Sequence, residues 1–153
     1  MDRFISSMLK KGVIISTLGL IAIVLLQIYA RFFMAQAPAW TEEASRLCFI
    51  YATSFAAGLA LKNNYYVHLD YFYNLFSKNV QRRLKIIIPV LTVFLFLILA
   101  FYSLEFIYLG RLESSPSLKI KMAFIFVSIL IMSLSVSYYA FKEVMAQIKN
   151  EKP

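Results

Sequence analysis

Residues 12–30 read GVIISTLGLIAIVLLQIYA, a run of nineteen residues without a charged side chain. Three further runs also lack charge: residues 47–61, 86–104 and 122–141. A transmembrane helix needs roughly 20 mainly apolar residues. The second run has only 15 residues, and it reaches the required length if its helix begins near Thr41. Four stretches of the chain are therefore long and apolar enough to cross a bilayer.

The composition is also that of a membrane protein rather than of a soluble domain. Of the 153 residues, 61% are hydrophobic, whereas a soluble domain is nearer to half apolar. We predict an all-α integral membrane protein, with one domain over residues 1–153 and four transmembrane helices. The predicted spans are approximately residues 12–35, 41–61, 84–108 and 121–142.

The basic residues predict the orientation of the spans. The net charge is +8, and Lys and Arg beside short loops favour the cytoplasmic side. The two termini and the connection between spans two and three hold eleven basic residues, against five on the other side. We therefore expect both termini in the cytoplasm. We attribute the positive charge to topology and to membrane lipids rather than to nucleic acid.

Two segments outside the spans have the pattern of short amphipathic helices that lie on the membrane surface. In residues 1–11, apolar side chains recur at helical spacing among basic ones, and in residues 65–76 half of the side chains are Tyr or Phe. One alternative concerns Ala35-Gln36-Ala37, which resembles a signal-peptidase site. The apolar run before it exceeds the roughly 7–15 residues of a signal peptide, so we expect span one to be retained.

The size of the side chains predicts how the spans pack. In span two, Ala52, Ala56 and Ala60 recur every four residues, a pattern that lets helix backbones approach closely in lipid. We therefore expect span two to be the most buried helix. Span three carries bulky side chains throughout residues 94–99 and should face lipid or a hydrophobic partner. Span four carries serines that could pack or hydrogen-bond against a neighbouring helix.

The connection between spans one and two carries charge beside apolar runs, which is costly and usually kept for function or topology. It reads Trp40-Thr41-Glu42-Glu43-Ala44-Ser45-Arg46. We expect Thr41 to cap the second helix and both glutamates to lie at its positive dipole end. Glu42 and Arg46 are four residues apart and should share a face. Trp40 lies where aromatic residues anchor helices at the interface.

The chain lacks the residues that most enzymes and cofactor sites need. It has one histidine, His68, and one cysteine, Cys48, so it cannot form a bis-histidine haem site, a histidine-rich zinc site or an internal disulfide by itself. Its four glycines form no phosphate-binding loop. We expect no enzymatic activity, no cofactor, no metal ion, and no catalytic or substrate-binding residue.

A transport pathway within this chain alone is also disfavoured. Ion and proton pathways usually need ionisable groups at mid-membrane, and the middle of each predicted span is uncharged. The deepest acid is Glu105, late in span three. We expect it to form a salt bridge with Arg111 or a neighbouring basic residue near the outer interface, with a coupling role as the alternative.

A pattern of polar and small residues runs through about a quarter of the chain. Its members are Arg31 at the end of span one, Trp40-Thr41-Glu42-Glu43 and Arg46, then Gly58 in the Ala-rich span, and His68-Leu69-Asp70 after a polar turn. Their order and spacing resemble the small membrane subunit (DctQ- or SiaQ-type) of tripartite ATP-independent periplasmic (TRAP) transporters. The turn Lys62-Asn63-Asn64-Tyr65-Tyr66 departs from that family, whose members often carry a more basic or Gly-containing turn.

The resemblance implies partners and a role. Such a subunit forms a heterodimer with a much larger multispan membrane subunit, which carries the elevator-type pathway and the sodium sites. A periplasmic binding protein delivers an organic acid, such as sialic acid or a C4-dicarboxylate. This chain would then be a scaffold in the bacterial inner membrane that braces the large subunit of a symporter and helps docking. Interface or structural roles are expected for Arg31, Trp40, Glu42, Glu43, Arg46, Gly58, His68 and Asp70.

Alternatives remain for these residues and for the chain. The four charges near the hinge could form one cluster that fixes it against the partner, or act only in capping and weak surface ion pairs. His68 and Asp70 could be a polar face at the inner surface or a contact that orients the second surface helix. The chain could also be a small four-helix exporter, although span one lacks the acid for proton exchange. A membrane assembly protein without a transport role is the third interpretation.

Overall fold

The computed structural model describes residues 2–34, 38–63 and 77–150. The described chain contains four α-helices, which are α1 (Asp2–Phe33), α2 (Trp40–Lys62), α3 (Lys78–Leu109) and α4 (Met122–Asn150). All four are long and apolar enough to cross a membrane. The prediction of an all-α membrane protein with four spanning helices is confirmed. The side of the membrane on which the termini lie stays a prediction.

The helices are longer than the predicted spans. α1 and α3 have 32 residues each and α4 has 29, which corresponds to about 44–48 Å at 1.5 Å per residue. The hydrocarbon core of a bilayer is about 30 Å thick. A helix of this length must tilt or extend into the polar surface region, so the membrane limits of the spans stay predictions.

The first residues of the chain belong to the bundle. The prediction of a separate surface helix over residues 1–11 is wrong, because α1 continues without a break and Leu9 is buried. Glycine weakens a helix, but Gly12 lies where α1 approaches α2 closely. A Cβ atom at this position would lie only 2.7 Å from the ring of Phe55, which is too close for a side chain. Packing of α1 against α2 therefore extends the helix through the glycine.

Two predictions lie outside the described residues. One is the surface helix over residues 65–76, and the other is the signal-peptidase-like site Ala35-Gln36-Ala37. The described chain resumes at Ser77 after the first of these segments and at Pro38 after the second.

The helices pack in the spatial order α1, α2, α4, α3, since α2 contacts both α1 and α4, and α3 contacts α4. We call one end of the bundle the hinge end; it contains residues 38–46 and 110–121. The opposite end contains the start of α1 at Asp2 and the end of α4 at Asn150. There the Asp2 carboxylate accepts hydrogen bonds from the Tyr138 hydroxyl and the Lys142 ammonium, which joins the first turn of α1 to α4.

The most buried helix is α4, so the prediction that span two would be the most buried is wrong. In the most apolar 18-residue stretch of each helix, 39% of the residues of α4 are buried, against 11% in α2. The buried serines of α4 are Ser128, Ser133, Ser135 and Ser137. The reason is placement: α4 lies between α2 and α3 and also meets the start of α1, so several of its faces are covered.

The close contact between α2 and α4 uses different small residues from the predicted alanine stripe. Ser54 and Gly58 are buried and four residues apart, whereas Ala52, Ala56 and Ala60 are half-buried. A Cβ atom at Gly58 would lie 2.7 Å from the Cβ of a serine in α4, Ser135. Small residues at such a crossing let two backbones approach in lipid.

α3 lies at one edge of the bundle, with its bulky side chains outward. Phe94 and Phe101 are exposed, while Ala100 and Ser103 are buried on the opposite face. The buried face meets α4, because α4 is the helix that α3 contacts. The outward face is apolar, as its sequence predicts for a surface that meets lipid or a hydrophobic partner.

Candidate functional site at the hinge end

The start of α2 is fixed by a threonine that donates rather than accepts a hydrogen bond. The Thr41 hydroxyl donates to the carbonyl of Pro38 at 2.7 Å, and the Thr41 amide donates to the same carbonyl at 3.1 Å. Ala39 occupies the cap position, with no side-chain cap hydrogen bond. The prediction that Thr41 caps the helix is therefore wrong. The helix begins before Thr41, whose side chain is buried in the first turn.

Glu43 connects the hinge to the loop between α3 and α4. Its carboxylate accepts a hydrogen bond from the Ser115 hydroxyl at 2.7 Å. It also accepts from the backbone amides of Ser117, at 3.0 and 3.1 Å, and of Leu118, at 2.9 Å. Hydrogen bonds to an ionised carboxylate are stronger than those between neutral groups. We call these four residues the Glu43 clasp.

The loop that Glu43 binds has an ordered backbone. The Ser115 amide donates to the Ile120 carbonyl at 2.8 Å, and the Lys119 amide donates to the Ser115 carbonyl at 3.1 Å. A short antiparallel bridge pairs Ser114 with Lys121. Lys119 has a φ of 55°, in the left-handed region, which tightens the turn. This turn directs two consecutive amides toward one carboxylate.

Glu42 takes a different direction from its neighbour. It forms an ion pair with Arg46 at 3.3 Å, and the two side chains are 71% and 68% exposed, respectively. The Ser45 hydroxyl donates to the Glu42 carbonyl at 2.9 Å. An exposed pair of this kind contributes about 0–1 kcal/mol to stability. The pair therefore lies on the surface of the hinge end, where it is accessible.

In the structure, the four charged residues near the hinge do not form a single cluster. Glu42 meets Arg46, and Glu43 instead meets the loop between α3 and α4. Arg31 lies exposed in the last turn of α1, and within the described ranges it forms no ion pair. Trp40 begins α2 and is partly exposed. The hinge end thus has one hydrogen-bonded connection, from Glu43 to the loop between α3 and α4, and several accessible side chains.

The other predicted residues lie elsewhere. Gly58 is at the α2–α4 contact, two turns or more from the hinge. His68 and Asp70 lie outside the described residues. Their interface roles stay predictions.

Sequence reasoning missed the partners of Glu43 and one further connection. The Tyr51 hydroxyl donates to the backbone carbonyl of Phe124 at 2.6 Å, which joins α2 to the first turn of α4. The partners of Glu43 lie 72 to 75 residues away in the chain. The available signal was a glutamate beside an apolar run and a serine-rich loop on the same predicted side of the membrane. Helical spacing alone does not pair them.

These features define a class of protein. The chain is a multi-pass, all-α membrane protein whose charges lie toward the helix ends. Two of its connections are joined by a carboxylate that accepts hydrogen bonds from three residues. The family model for the DctQ component of tripartite ATP-independent periplasmic transporters matches residues 20–150. The chain belongs to this family, whose members are transporter components.

A relative supports the same assignment. The chain is similar to a Haemophilus influenzae protein that is provisionally named a TRAP transporter small permease protein. The two sequences are 22% identical over 150 residues, and the match covers 98% of this chain and 89% of the relative. The resemblance first seen in about a quarter of the chain is therefore confirmed over most of its length.

Proposed function

We propose that this chain is the small membrane subunit of a sodium-coupled TRAP transporter in the bacterial inner membrane. In this proposal it forms a heterodimer with a large multispan subunit that carries the transport pathway. A periplasmic binding protein delivers the substrate. The small subunit is a scaffold that braces the large subunit and contributes to docking. Both termini are cytoplasmic, so the hinge end faces the periplasm.

The Glu43 clasp is the observation that carries the scaffold role. One carboxylate holds the start of α2 and the loop between α3 and α4 together through hydrogen bonds to Ser115, Ser117 and Leu118. A pathway element that opens and closes needs segments that separate, whereas a clasp of this kind opposes separation. The uncharged middle of each span also supports a brace rather than an ion pathway.

The accessible side chains of the hinge end support the docking part of the proposal. Arg31 has no ion pair within the described ranges, and the Glu42–Arg46 pair is largely exposed. Trp40 adds a partly exposed aromatic ring, and aromatic residues and arginine are enriched at protein interfaces. A periplasmic protein that approaches this end would meet these groups on a surface held by the clasp.

The substrate class proposed is an organic acid, either a sialic-acid-type sugar acid or a C4-dicarboxylate. The small subunit does not bind it by itself. The choice between the two acids belongs to the binding protein and the large subunit. Sodium coupling likewise belongs to the large subunit, where a pathway can offer the ionisable and carbonyl groups that sodium needs.

The experiment is copurification and uptake with the large subunit and the binding protein of the same transporter. The tagged wild-type chain should capture the large subunit in mild detergent at equal stoichiometry. Cells with all three components should accumulate labelled sialic acid or C4-dicarboxylate when a sodium gradient is present. A chain that purifies alone or as a homodimer would contradict the proposal.

A matched pair of variants tests the role of the clasp. Glu43→Ala removes the acceptor of the loop and should lower both the yield of the complex and the uptake rate. Glu42→Ala removes a carboxylate at the adjacent position, whose ion pair is exposed, and should leave the yield unchanged. Equal yield and equal uptake for the two variants would argue against a structural role of the clasp in the complex.

A further inference from the structure

An acidic residue interrupts the outward face of α3. Most residues of this helix are exposed, and six of them form a row spaced alternately by four and three positions on the side opposite the buried residues. We call this row the α3 stripe: Ile87, Leu91, Phe94, Ile98, Phe101 and Glu105. Phe94 and Phe101 are 65% and 72% exposed. The stripe lies opposite Ala100 and Ser103, which are buried against α4. Glu105 is the last member of this row, near the end of α3, on a face that the bundle leaves uncovered.

Glu105 has no hydrogen bond or ion pair within the described ranges, and its predicted salt bridge with Arg111 is not formed. The residue lies four positions before the end of α3 at Leu109, which is about 6 Å along the helix axis. Hydrocarbon would satisfy the five apolar members of the stripe, whereas the Glu105 carboxylate needs water, a lipid headgroup or a polar partner. Ionisable residues in transmembrane helices usually meet an opposite charge or a hydrogen-bond donor.

We propose that the α3 stripe binds a transmembrane helix of the large subunit, and that Glu105 meets a basic or hydrogen-bond-donating side chain of that helix. This inference rests on the proposed function and names the surface through which it operates. Rows spaced by four and three residues pack against a partner helix with a left-handed crossing of about 20°. The partner helix therefore runs along α3 for several turns.

A second copy of this chain fits the stripe less well. Two copies with the same orientation in a membrane would be related by a two-fold axis along the membrane normal, and such an interface brings the same residues of both copies together. Glu105 would then face the other copy's Glu105. The stripe contains no Lys or Arg that could compensate. Like charges at one contact disfavour binding, so charge complementarity favours a different protein.

The first test is a charge change at Glu105 with binding to the purified large subunit measured by fluorescence titration in mild detergent. Glu105→Gln should weaken binding by about tenfold, since losing one member of a buried charged pair mainly speeds dissociation. Glu105→Lys should weaken it further. Glu113→Gln is the control, because Glu113 is an exposed acid of the nearby loop whose side chain has no hydrogen bond within the described ranges. Both Glu105 variants should keep the wild-type Tm, since this side chain makes no contact to lose inside the bundle.

The second test locates the contact. A photo-crosslinking amino acid at Phe101 should link to the large subunit in membranes that contain both proteins. The same group at Leu99, which is exposed but about 160° around the helix from Phe101, should link much less.

The outcomes separate the inference from the function on which it rests. Binding by Glu105→Gln and Glu105→Lys at wild-type affinity would overturn the inference, as would crosslinks from Phe101 only to lipid or to a second copy of this chain. Failure of the wild-type chain itself to bind the large subunit would instead overturn the proposed function.

Discussion

Replacing Gly58 with alanine tests whether the bundle depends on the close approach of α2 and α4. The added Cβ would lie 2.7 Å from the Ser135 Cβ and 3.2 Å from the Ser135 carbonyl carbon. The Ser135 hydroxyl can rotate away, but its Cβ and carbonyl carbon are fixed to the backbone of α4. The two helices must therefore separate or shift.

The size of the effect follows from these distances. Carbon atoms in contact are about 3.5–4.0 Å apart, so the helices must separate by about 1 Å, which removes about a quarter to a half of the dispersion energy of each affected contact. Overpacking of this kind costs about 1–3 kcal/mol, and alanine offsets about 1 kcal/mol through its higher helix propensity. We expect a net loss of about 1 kcal/mol, which is about 2–4 °C in Tm for a chain of this size.

Thermal unfolding in mild detergent, followed by circular dichroism, measures this loss. Gly19→Ala is the control, because the nearest atom to its new Cβ is the Cys48 Sγ at 3.3 Å, a side-chain end that can move. Its Tm should equal or exceed that of the wild type. In a Ser135→Gly background, Gly58→Ala should lower the Tm less, since the opposing Cβ is gone and only the backbone carbonyl carbon at 3.2 Å remains. A Gly58→Ala variant as stable as Gly19→Ala would refute the reasoning.

Three further changes test the hinge end and the part of the α2–α4 contact that is nearest to it. Glu43→Ala should speed proteolysis within residues 110–121, because the loop loses its hydrogen-bond acceptor, whereas Glu42→Ala should leave the rate unchanged. Equal proteolysis rates for the two variants would contradict the structural role of the clasp. Tyr51→Phe removes a 2.6 Å hydrogen bond to a backbone carbonyl of α4 and should lower the unfolding free energy by about 1 kcal/mol; an unchanged Tm would show that the bond adds nothing. Lys119→Gly should keep or raise the Tm, because glycine takes a φ of 55° without the cost of about 1–2 kcal/mol for an L side chain; a lower Tm would argue against strain at this turn.

The parts of the fold that the sequence predicted are those set by the solvent or by neighbours in the chain. A bilayer demands long apolar helices, so charge-free runs identify the four spanning helices. Residues four apart on a helix share a face, so the Glu42–Arg46 pair follows from spacing and is found at 3.3 Å. Both signals are local. Neither requires knowledge of which helices are neighbours.

The parts that failed depend on which helices meet. Alanine spacing indicated that span two can approach another helix closely. It could not show that α4 would be the most buried helix, because that depends on its two helix neighbours and on the start of α1, which also packs against it. The cap predicted at Thr41 failed for a local reason, because its hydroxyl donates to the Pro38 carbonyl and the helix begins before it. The loop partners of Glu43 lie 72 to 75 residues away, and no periodicity connects a helix to a distant turn.

Three of the long-range contacts lie along one side of α2 and join it to α4 or to the loop that precedes α4. Glu43 binds the loop, Tyr51 bonds to the first turn of α4, and Gly58 meets Ser135 farther along. Successive contacts are eight and seven residues apart, which is about two helical turns each. The α2–α4 pair is thus held together at three levels. α3 packs against α4, while α1 packs along α2 and meets α4 through its first turn. A rigid central pair with two edge helices suits the proposed scaffold role, because a large partner can bind an edge without separating the centre. Glu105, which has no ion pair among the residues that the structure describes, lies on such an edge, which is why α3 rather than α2 is the surface to test first.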